Sequence, residues 1–149
     1  MGRKQKDPSE QAREEIEEAR KAGKTELSIH SGSPENVLLA CELTQLKDLR
    51  LSGDMKVLPP EIGNLVNLEY LHLESNKLTT LPKQIGKLVK LTYFTCYSNE
   101  IDKLPDEVGE MESLEKWIIW SNKLKRLPKT IGKLRELKEF EMQRNEVVE

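Results

Sequence analysis

The chain has 149 residues, the length of one domain, with 36% hydrophobic and 34% charged residues. Its 26 acidic and 24 basic residues give a formal net charge of −2, and both signs are spread along the whole chain, which argues against a nucleic-acid partner. No apolar stretch approaches the roughly 18 residues that a membrane span needs. So few apolar residues build a core only if they recur at fixed positions.

The first predicted element is a helix over residues 10–22. Asp7-Pro8-Ser9 is a helix start signal, good helix formers follow, and Gly23 is a stop signal. The apolar face of this helix is narrow and consists of Ala12, Ile16 and Ala19. We therefore expect residues 1–23 to be a polar N-terminal helical cap that shields the first repeat, with a partner-binding helix as the alternative.

Next come two irregular repeats. Leu27 and Ile29 occupy strand positions of the more degenerate one, and residues 33–46 are predicted to form its irregular return. The following segment reads Leu46-x-x-Leu49-x-Leu51 and carries Asp54 where the later repeats have Asn. Its Leu46 precedes the equivalent Leu68 by only 22 residues.

The remainder of the chain repeats with a period of 23 residues. Three markers keep this step: Leu-Pro pairs at 58–59, 81–82, 104–105 and 127–128, glycines at 63, 86, 109 and 132, and asparagines at 76, 99, 122 and 145. A fixed internal period of this length is typical of a solenoid, in which stacked turns share one continuous core. The last turn is incomplete, because the chain given stops at residue 149.

Aligned on this period, the chain reads Leu68-x-x-Leu71-x-Leu73-x-x-Asn76-x-Leu78, and the same pattern returns three times with Phe94, Trp117 and Phe140 at the second apolar position. Residues 46–149 thereby resemble the leucine-rich repeat family, and the LPxxIGxL connections resemble those of small intracellular Ras-suppressor-like and bacterial members. The resemblance implies an α/β fold for residues 24–149. The expected solenoid is a right-handed horseshoe arc with a parallel β-sheet on its concave face and irregular or 3-10 returns on its convex face.

Side chains alternate along each predicted strand, so Leu71 and Leu73 and their counterparts point into the core. The asparagine amide has two donor hydrogens and an acceptor oxygen, which can satisfy backbone groups where each strand bends away. The resemblance implies that these residues form a structural ladder. Its members are Asn76, Asn99, Asn122 and Asn145.

The outward strand positions carry all 3 tyrosines and one of the 2 tryptophans. Rings that lie 23 residues apart become neighbours on adjacent strands, and large rigid rings above a polar rim are typical of a protein-binding surface. The alternative is that cross-strand aromatic pairs only stabilise the sheet, by roughly 0.2–1 kcal/mol each. The predicted partner-binding residues are Tyr70, His72, Glu74, Tyr93, Thr95, Tyr97, Lys116, Ile118 and Trp120.

No catalytic or cofactor site is predicted, because the sequence has no Gly-rich phosphate loop and no nucleophile at motif spacing from a base. His30 and His72 fall in turns too far apart to share a metal ion, and Cys41 and Cys96 lack metal-ligand spacing. Two reduced thiols, together with a charged N-terminus that lacks the apolar segment of a secretory signal, predict a cytoplasmic protein.

The sequence thus favours a non-enzymatic module that binds a protein partner through its concave aromatic patch. The alternative is a structural or substrate-recruiting segment of a larger regulatory or effector protein. In that alternative, the chain associates with a copy of itself through the uncapped C-terminal strand around Phe140 and Met142, because an open strand edge invites pairing.

Overall fold

The computed structural model describes residues 5–148. Residues 1–4 of the predicted cap and Glu149 of the predicted last repeat lie outside this range. The first element is helix α1 (Pro8–Ala22), which begins two residues before the predicted start. The Asp7 carboxylate accepts a hydrogen bond from the backbone N–H of Ser9, and Gly23 ends the helix in the left-handed conformation at φ 60°. The predicted apolar face of α1 is buried.

Six parallel strands form one sheet in sequential order, which confirms the predicted solenoid. The strands are β1 (Glu26–His30), β2 (Asp48–Ser52), β3 (Tyr70–His72), β4 (Tyr93–Thr95), β5 (Lys116–Ile118) and β6 (Glu139–Glu141). Each strand pairs with the next, and the register follows the repeat: Tyr70 lies opposite Tyr93, which lies opposite Lys116. Residues one period apart are therefore lateral neighbours.

The return after β1 is helical, which corrects the prediction of an irregular segment over residues 33–46. Helix α2 (Pro34–Ala40) forms there because Val37 and Ala40 pack into the core beside α1. The buried Asn36 ties the two helices together: its amide donates to the backbone oxygen of Ser9 at 3.0 Å, and its oxygen accepts from Arg13 Nε at 3.3 Å. Tertiary contact with the cap thus selects the helical conformation.

The later returns are short 3-10 helices, as expected, at Pro60–Asn64, Lys83–Lys87, Asp106–Glu110 and Lys129–Lys133. Their glycines allow these helices to stack closely. A Cβ on Gly86 would lie 2.5 Å from the backbone oxygen of Glu107, and one on Gly109 would lie 2.5 Å from that of Thr130. The absence of a side chain is therefore a packing requirement at the interior turns.

The core runs the length of the solenoid as columns of fully buried leucine and isoleucine side chains. An aromatic column crosses the C-terminal half: the Phe94 and Trp117 rings stack with centroids 5.6 Å apart, and Trp117 stacks on Phe140 at 5.3 Å. Phe94 and Trp117 are completely buried, whereas Phe140 in the last turn is only partly buried. The core is therefore closed in its interior and open at β6.

The asparagines link each turn to the turn before it. The Asn99 side-chain oxygen accepts from the backbone N–H of Leu78 at 3.0 Å, and its amide donates to the backbone oxygens of Leu73 at 2.9 Å and Cys96 at 3.1 Å. The same pattern is found at Asn76, Asn122 and Asn145. Asp54 takes no part in it, because it is exposed and its carboxylate lies 3.6 Å from Lys77 Nζ.

Candidate functional site on the concave face

The concave face consists of the strand side chains that alternate with the core. One lateral column follows directly from strand pairing and contains Asp48, Tyr70, Tyr93, Lys116 and Glu139. A parallel column follows the strand ends, where backbone hydrogen bonds continue from Ser75 N–H to the oxygen of Tyr97 at 3.0 Å and from Ser98 N–H to that of Trp120 at 3.2 Å. This column contains Glu74, Tyr97, Trp120 and Gln143.

Four aromatic side chains, the aromatic cluster, lie at the middle of this face: Tyr70, Tyr93, Tyr97 and Trp120. The Tyr70 and Tyr93 rings are tilted at 42° with centroids 6.1 Å apart, while Tyr97 and Trp120 stack at 4.5 Å with 10° between their planes. Tyr70 is 43% exposed and the other three are partly buried. The cluster therefore offers ring surface to solvent while its side chains brace one another.

His72 lies beside this cluster, with its ring centroid 5.5 Å from that of Tyr93. Its Nε2 is 3.5 Å from Asp48 Oδ1, yet neither atom forms a hydrogen bond within residues 5–148, because the geometry is unfavourable. Burial lowers the pKa of His72, and the charge of Arg50 lowers it further against the opposing charge of Asp48. The side chain is only 11% exposed, so it contributes to the shape of the face more than to its contact area.

Thr95 corrects the predicted set of contact residues. Its residue exposure is 2%, because it lies between the larger His72 and Ile118 of the adjacent strands. A buried side chain offers a partner no surface. Its hydroxyl instead donates to Oε2 of Glu74 at 2.5 Å, which fixes the position of that carboxylate at the edge of the aromatic cluster.

Ion pairs border the C-terminal side of the face. Lys116 Nζ lies 2.5 Å from Glu139 Oε2 and 3.9 Å from Glu141 Oε1. Ile118 is partly buried between Lys116 and Trp120. The predicted residues Lys116, Ile118 and Trp120 thus share one surface, on which the charged groups are already paired with each other.

An open cleft of about 740 Å³ at the N-terminal end of the face was not identified from the sequence. Polar and charged side chains line it, including Lys24, Glu26, Asp48 and Arg50. The sequence does contain a signal for this polar surface, because in β1 the exposed Glu26 and His30 alternate with the buried Leu27 and Ile29. The degeneracy of this repeat obscured the pattern.

Within residues 5–148 there is no group of three or more His, Cys, Asp or Glu side chains that could hold a metal ion. Both cysteines are free and buried, and burial raises the pKa of Cys41 and of Cys96 to about 12. Thiols with such a pKa stay protonated at neutral pH and are poor nucleophiles. No helix within residues 5–148 has the length and hydrophobicity of a transmembrane segment.

Comparison with known proteins gives a consistent result. A family model described as "Leucine-rich repeat region" matches residues 28–149. A leucine-rich repeat protein of Leptospira interrogans is 37% identical with a TM-score of 0.70, over 72% of this chain and 28% of its own. An internalin of Listeria monocytogenes is 26% identical with a TM-score of 0.67, over 83% of this chain and 34% of its own.

The leucine-rich repeat ectodomain of the plant receptor kinase GASSHO1/SCHENGEN3 from Arabidopsis thaliana is 34% identical with a TM-score of 0.66, over 76% of this chain. The chain spans 14% of that ectodomain, and thus only about a third or less of the length of these three structures. No curated protein matches the sequence.

Proposed function

The chain belongs to the leucine-rich repeat family, and we propose that it is a non-enzymatic module that holds a protein partner on its concave face. One observation carries the proposal: the aromatic cluster forms two ring pairs between adjacent repeats on one exposed face. Aromatic side chains that are held rigid before binding lose little conformational entropy when a partner covers them. The Arabidopsis ectodomain was solved in complex with CASPARIAN STRIP INTEGRITY FACTOR 2, and by analogy a polypeptide ligand is expected here.

The alternative interpretation is that the rings only stabilise the sheet. Residues that serve the sheet alone gain nothing from exposure, and the buried stack of Phe94 and Trp117 already braces β4 and β5 from the core side. Tyr70 at 43% exposure contributes ring area that this chain leaves uncovered. These features support a contact role for the cluster.

Crosslinking, affinity capture and proteomics test the proposal in cells that express the protein. The wild-type chain is compared with Trp120→Ala and Tyr97→Ala, and with Val89→Ala as the control, because Val89 is 40% exposed and lies outside the concave face. We expect one partner to be retained by wild type and Val89→Ala and lost from both concave variants. Circular dichroism and denaturant unfolding verify that the variants remain folded. Capture that survives both concave substitutions rejects the proposal.

Self-association through β6 is a second candidate. It is favoured by Phe140 and Met142, which are only partly buried, and by the outer edge of β6, which pairs with no strand within residues 5–148. Glu139 and Glu141 count against it, since antiparallel pairing of two copies brings like charges together across the edge. Sedimentation equilibrium over a dilution series tests self-association. If the chain is a monomer at the highest concentration, self-association through β6 is rejected.

The cytoplasmic location expected from the sequence remains a prediction. The two free, buried thiols are compatible with a reducing compartment. Fractionation of cells that express the tagged full chain tests it directly.

A further inference from the structure

The concave face is more acidic than the rest of the chain. Its strand positions in the six repeats hold five carboxylates against two cations, a net charge of −3 with histidine neutral, whereas the whole chain carries −2. Within residues 5–148, the acidic and basic residues outside these positions balance each other. The carboxylates are Glu26, Asp48, Glu74, Glu139 and Glu141, and the cations are Arg50 and Lys116.

Both cations of the face already contact acidic side chains on it. Lys116 pairs with Glu139, and Arg50 Nη2 lies 3.7 Å from Asp48 Oδ2. Glu74, in contrast, has no cationic group within 4.0 Å in the part of the chain that the structure describes. It is the carboxylate nearest the centre of the face that lacks an intramolecular counterion.

Glu74 is also held in place. The buried hydroxyl of Thr95 donates to its Oε2 at 2.5 Å. Glu74 occupies the same lateral column as Tyr97, whose ring stacks on Trp120. Burial, and next the charge of Glu74, raise the pKa of the Tyr97 hydroxyl, which agrees with the proximity of the two side chains. The fixed Glu74 carboxylate and the flat, partly exposed stack of Tyr97 and Trp120 thus lie side by side and form a corner on the concave face.

We propose that this corner, formed by Glu74, Tyr97 and Trp120, receives an arginine side chain of the partner protein, an inference that rests on the function proposed above. A guanidinium group is planar, so it stacks on the ring pair while its N–H groups donate to the carboxylate. The net charge of the face favours a basic partner surface and opposes an acidic one. Thr95 acts as a positioning residue, because it touches Glu74 and is too buried to touch the partner.

The first test uses a small probe, the capped tripeptide Gly-Arg-Gly, and follows the Trp120 indole N–H signal by NMR. The signal is assigned by its loss in Trp120→Phe. At concentrations up to about 50 mM, a weak saturable shift with a dissociation constant on the order of 10 mM is expected. Capped Gly-Lys-Gly should bind more weakly, and capped Gly-Glu-Gly should give no saturable shift.

Substitutions in the corner then separate charge from shape. Glu74→Gln keeps an acceptor for Thr95 but removes the charge, and it should weaken the arginine probe by about threefold to tenfold. Glu112→Gln is the matched control, because Glu112 is exposed and lies outside the concave face. Thr95→Val should also weaken the probe, whereas Thr95→Ser, which retains the hydroxyl, should restore binding. Any of three results overturns the inference: equal shifts with the arginine and glutamate peptides, no shift at the highest concentration, or no loss of affinity for the arginine probe in Glu74→Gln.

The captured partner provides the second test. If Trp120→Ala abolishes capture while Glu74→Gln and Glu74→Lys leave the affinity unchanged, the partner binds the aromatic cluster without an arginine in this corner. The arginine inference then fails while the proposed function stands. If capture is unaffected by Trp120→Ala, the proposed function itself fails. Support requires that Glu74→Gln lower the affinity and that the effect decrease with added salt.

Discussion

Replacing Asn99 by alanine tests whether the asparagine ladder is what holds neighbouring turns together. Asn99 is 8% exposed, and its side chain satisfies one buried backbone N–H, that of Leu78. Its amide donates to the backbone oxygens of Leu73, Cys96 and Tyr97. Alanine removes all four hydrogen bonds and introduces no group that replaces them. The substitution keeps the repeat period and adds no volume. The change in the free energy of unfolding is therefore due to the lost hydrogen bonds and the small cavity that alanine leaves.

The expected magnitude follows from the groups left without partners. A buried N–H without an acceptor costs about 1–3 kcal/mol, and a carbonyl that loses one of its bonds costs less because its second lone pair has other contacts. We therefore expect Asn99→Ala to lower the free energy of unfolding by about 3–4 kcal/mol. Domains of this kind have a total of about 5–15 kcal/mol, so the loss is a large fraction of the stability.

Denaturant unfolding measured by circular dichroism gives the free energy, and Asn145→Ala is the matched control. Asn145 makes the equivalent bonds, to Leu124 N–H at 3.0 Å and to the oxygen of Ile119 at 3.1 Å, but it lies in the last turn and is only partly buried. Water can replace its bonds, so we expect a cost of about 1 kcal/mol. A cost for Asn145→Ala equal to that for Asn99→Ala, or a cost below about 1 kcal/mol at Asn99, refutes the reasoning.

Three further predictions concern packing, reactivity and pH. Gly109→Ala should cost about 2–4 kcal/mol because its Cβ would meet the next turn at 2.5 Å, whereas Gly132→Ala, with no atom within 4 Å of its Cβ, should change the unfolding free energy by less than about 0.5 kcal/mol. The Cys96 thiol should resist a disulfide reagent at pH 8 until denaturant is added, because burial raises its pKa to about 12; reaction at the rate of a free thiol in the native protein would contradict this. Because the pKa of His72 is lowered by folding from its ordinary 6.5, its contribution to stability is complete above pH 6.5 and declines as the pH falls below it. His72→Gln should therefore flatten the fall in unfolding free energy between pH 7.5 and 5, measured by denaturant unfolding, and an unchanged slope would contradict this.

The sequence predicted the repeat architecture well because the period alone determines which side chains are lateral neighbours. Tyr97 and Trp120 are 23 residues apart, and the structure stacks their rings. The period does not determine how deep a side chain lies relative to its neighbours. Thr95 was predicted to contact a partner from its position in the strand, yet His72 and Ile118 on the adjacent strands are larger and bury it.

The first repeat shows a second limit of the pattern. Helix α2 and the buried Asn36 network depend on contacts with α1, which lies more than 20 residues away in a segment that has no repeat. Neither local propensity nor periodicity carries information about such contacts. The same limit applies to the cleft near Glu26, which is formed jointly by the end of the cap and the two degenerate repeats.

The side chains that hold the turns together are not the side chains on which binding is proposed. The ladder asparagines bond where the strands end, and the stacked 3-10 helices pack on the opposite side of the core. The pair Tyr97 and Trp120 adds about 0.5–1.5 kcal/mol beyond its buried area, less than one interior ladder residue. The ladder amides of Asn99 and Asn122 do donate to Tyr97 and Trp120, at 3.2 and 3.4 Å, but the acceptors are backbone oxygens, which a side-chain substitution retains. Substitutions on the face can therefore change partner recognition while the ladder remains intact, and a loss of binding in Trp120→Ala can be assigned to the lost ring contacts.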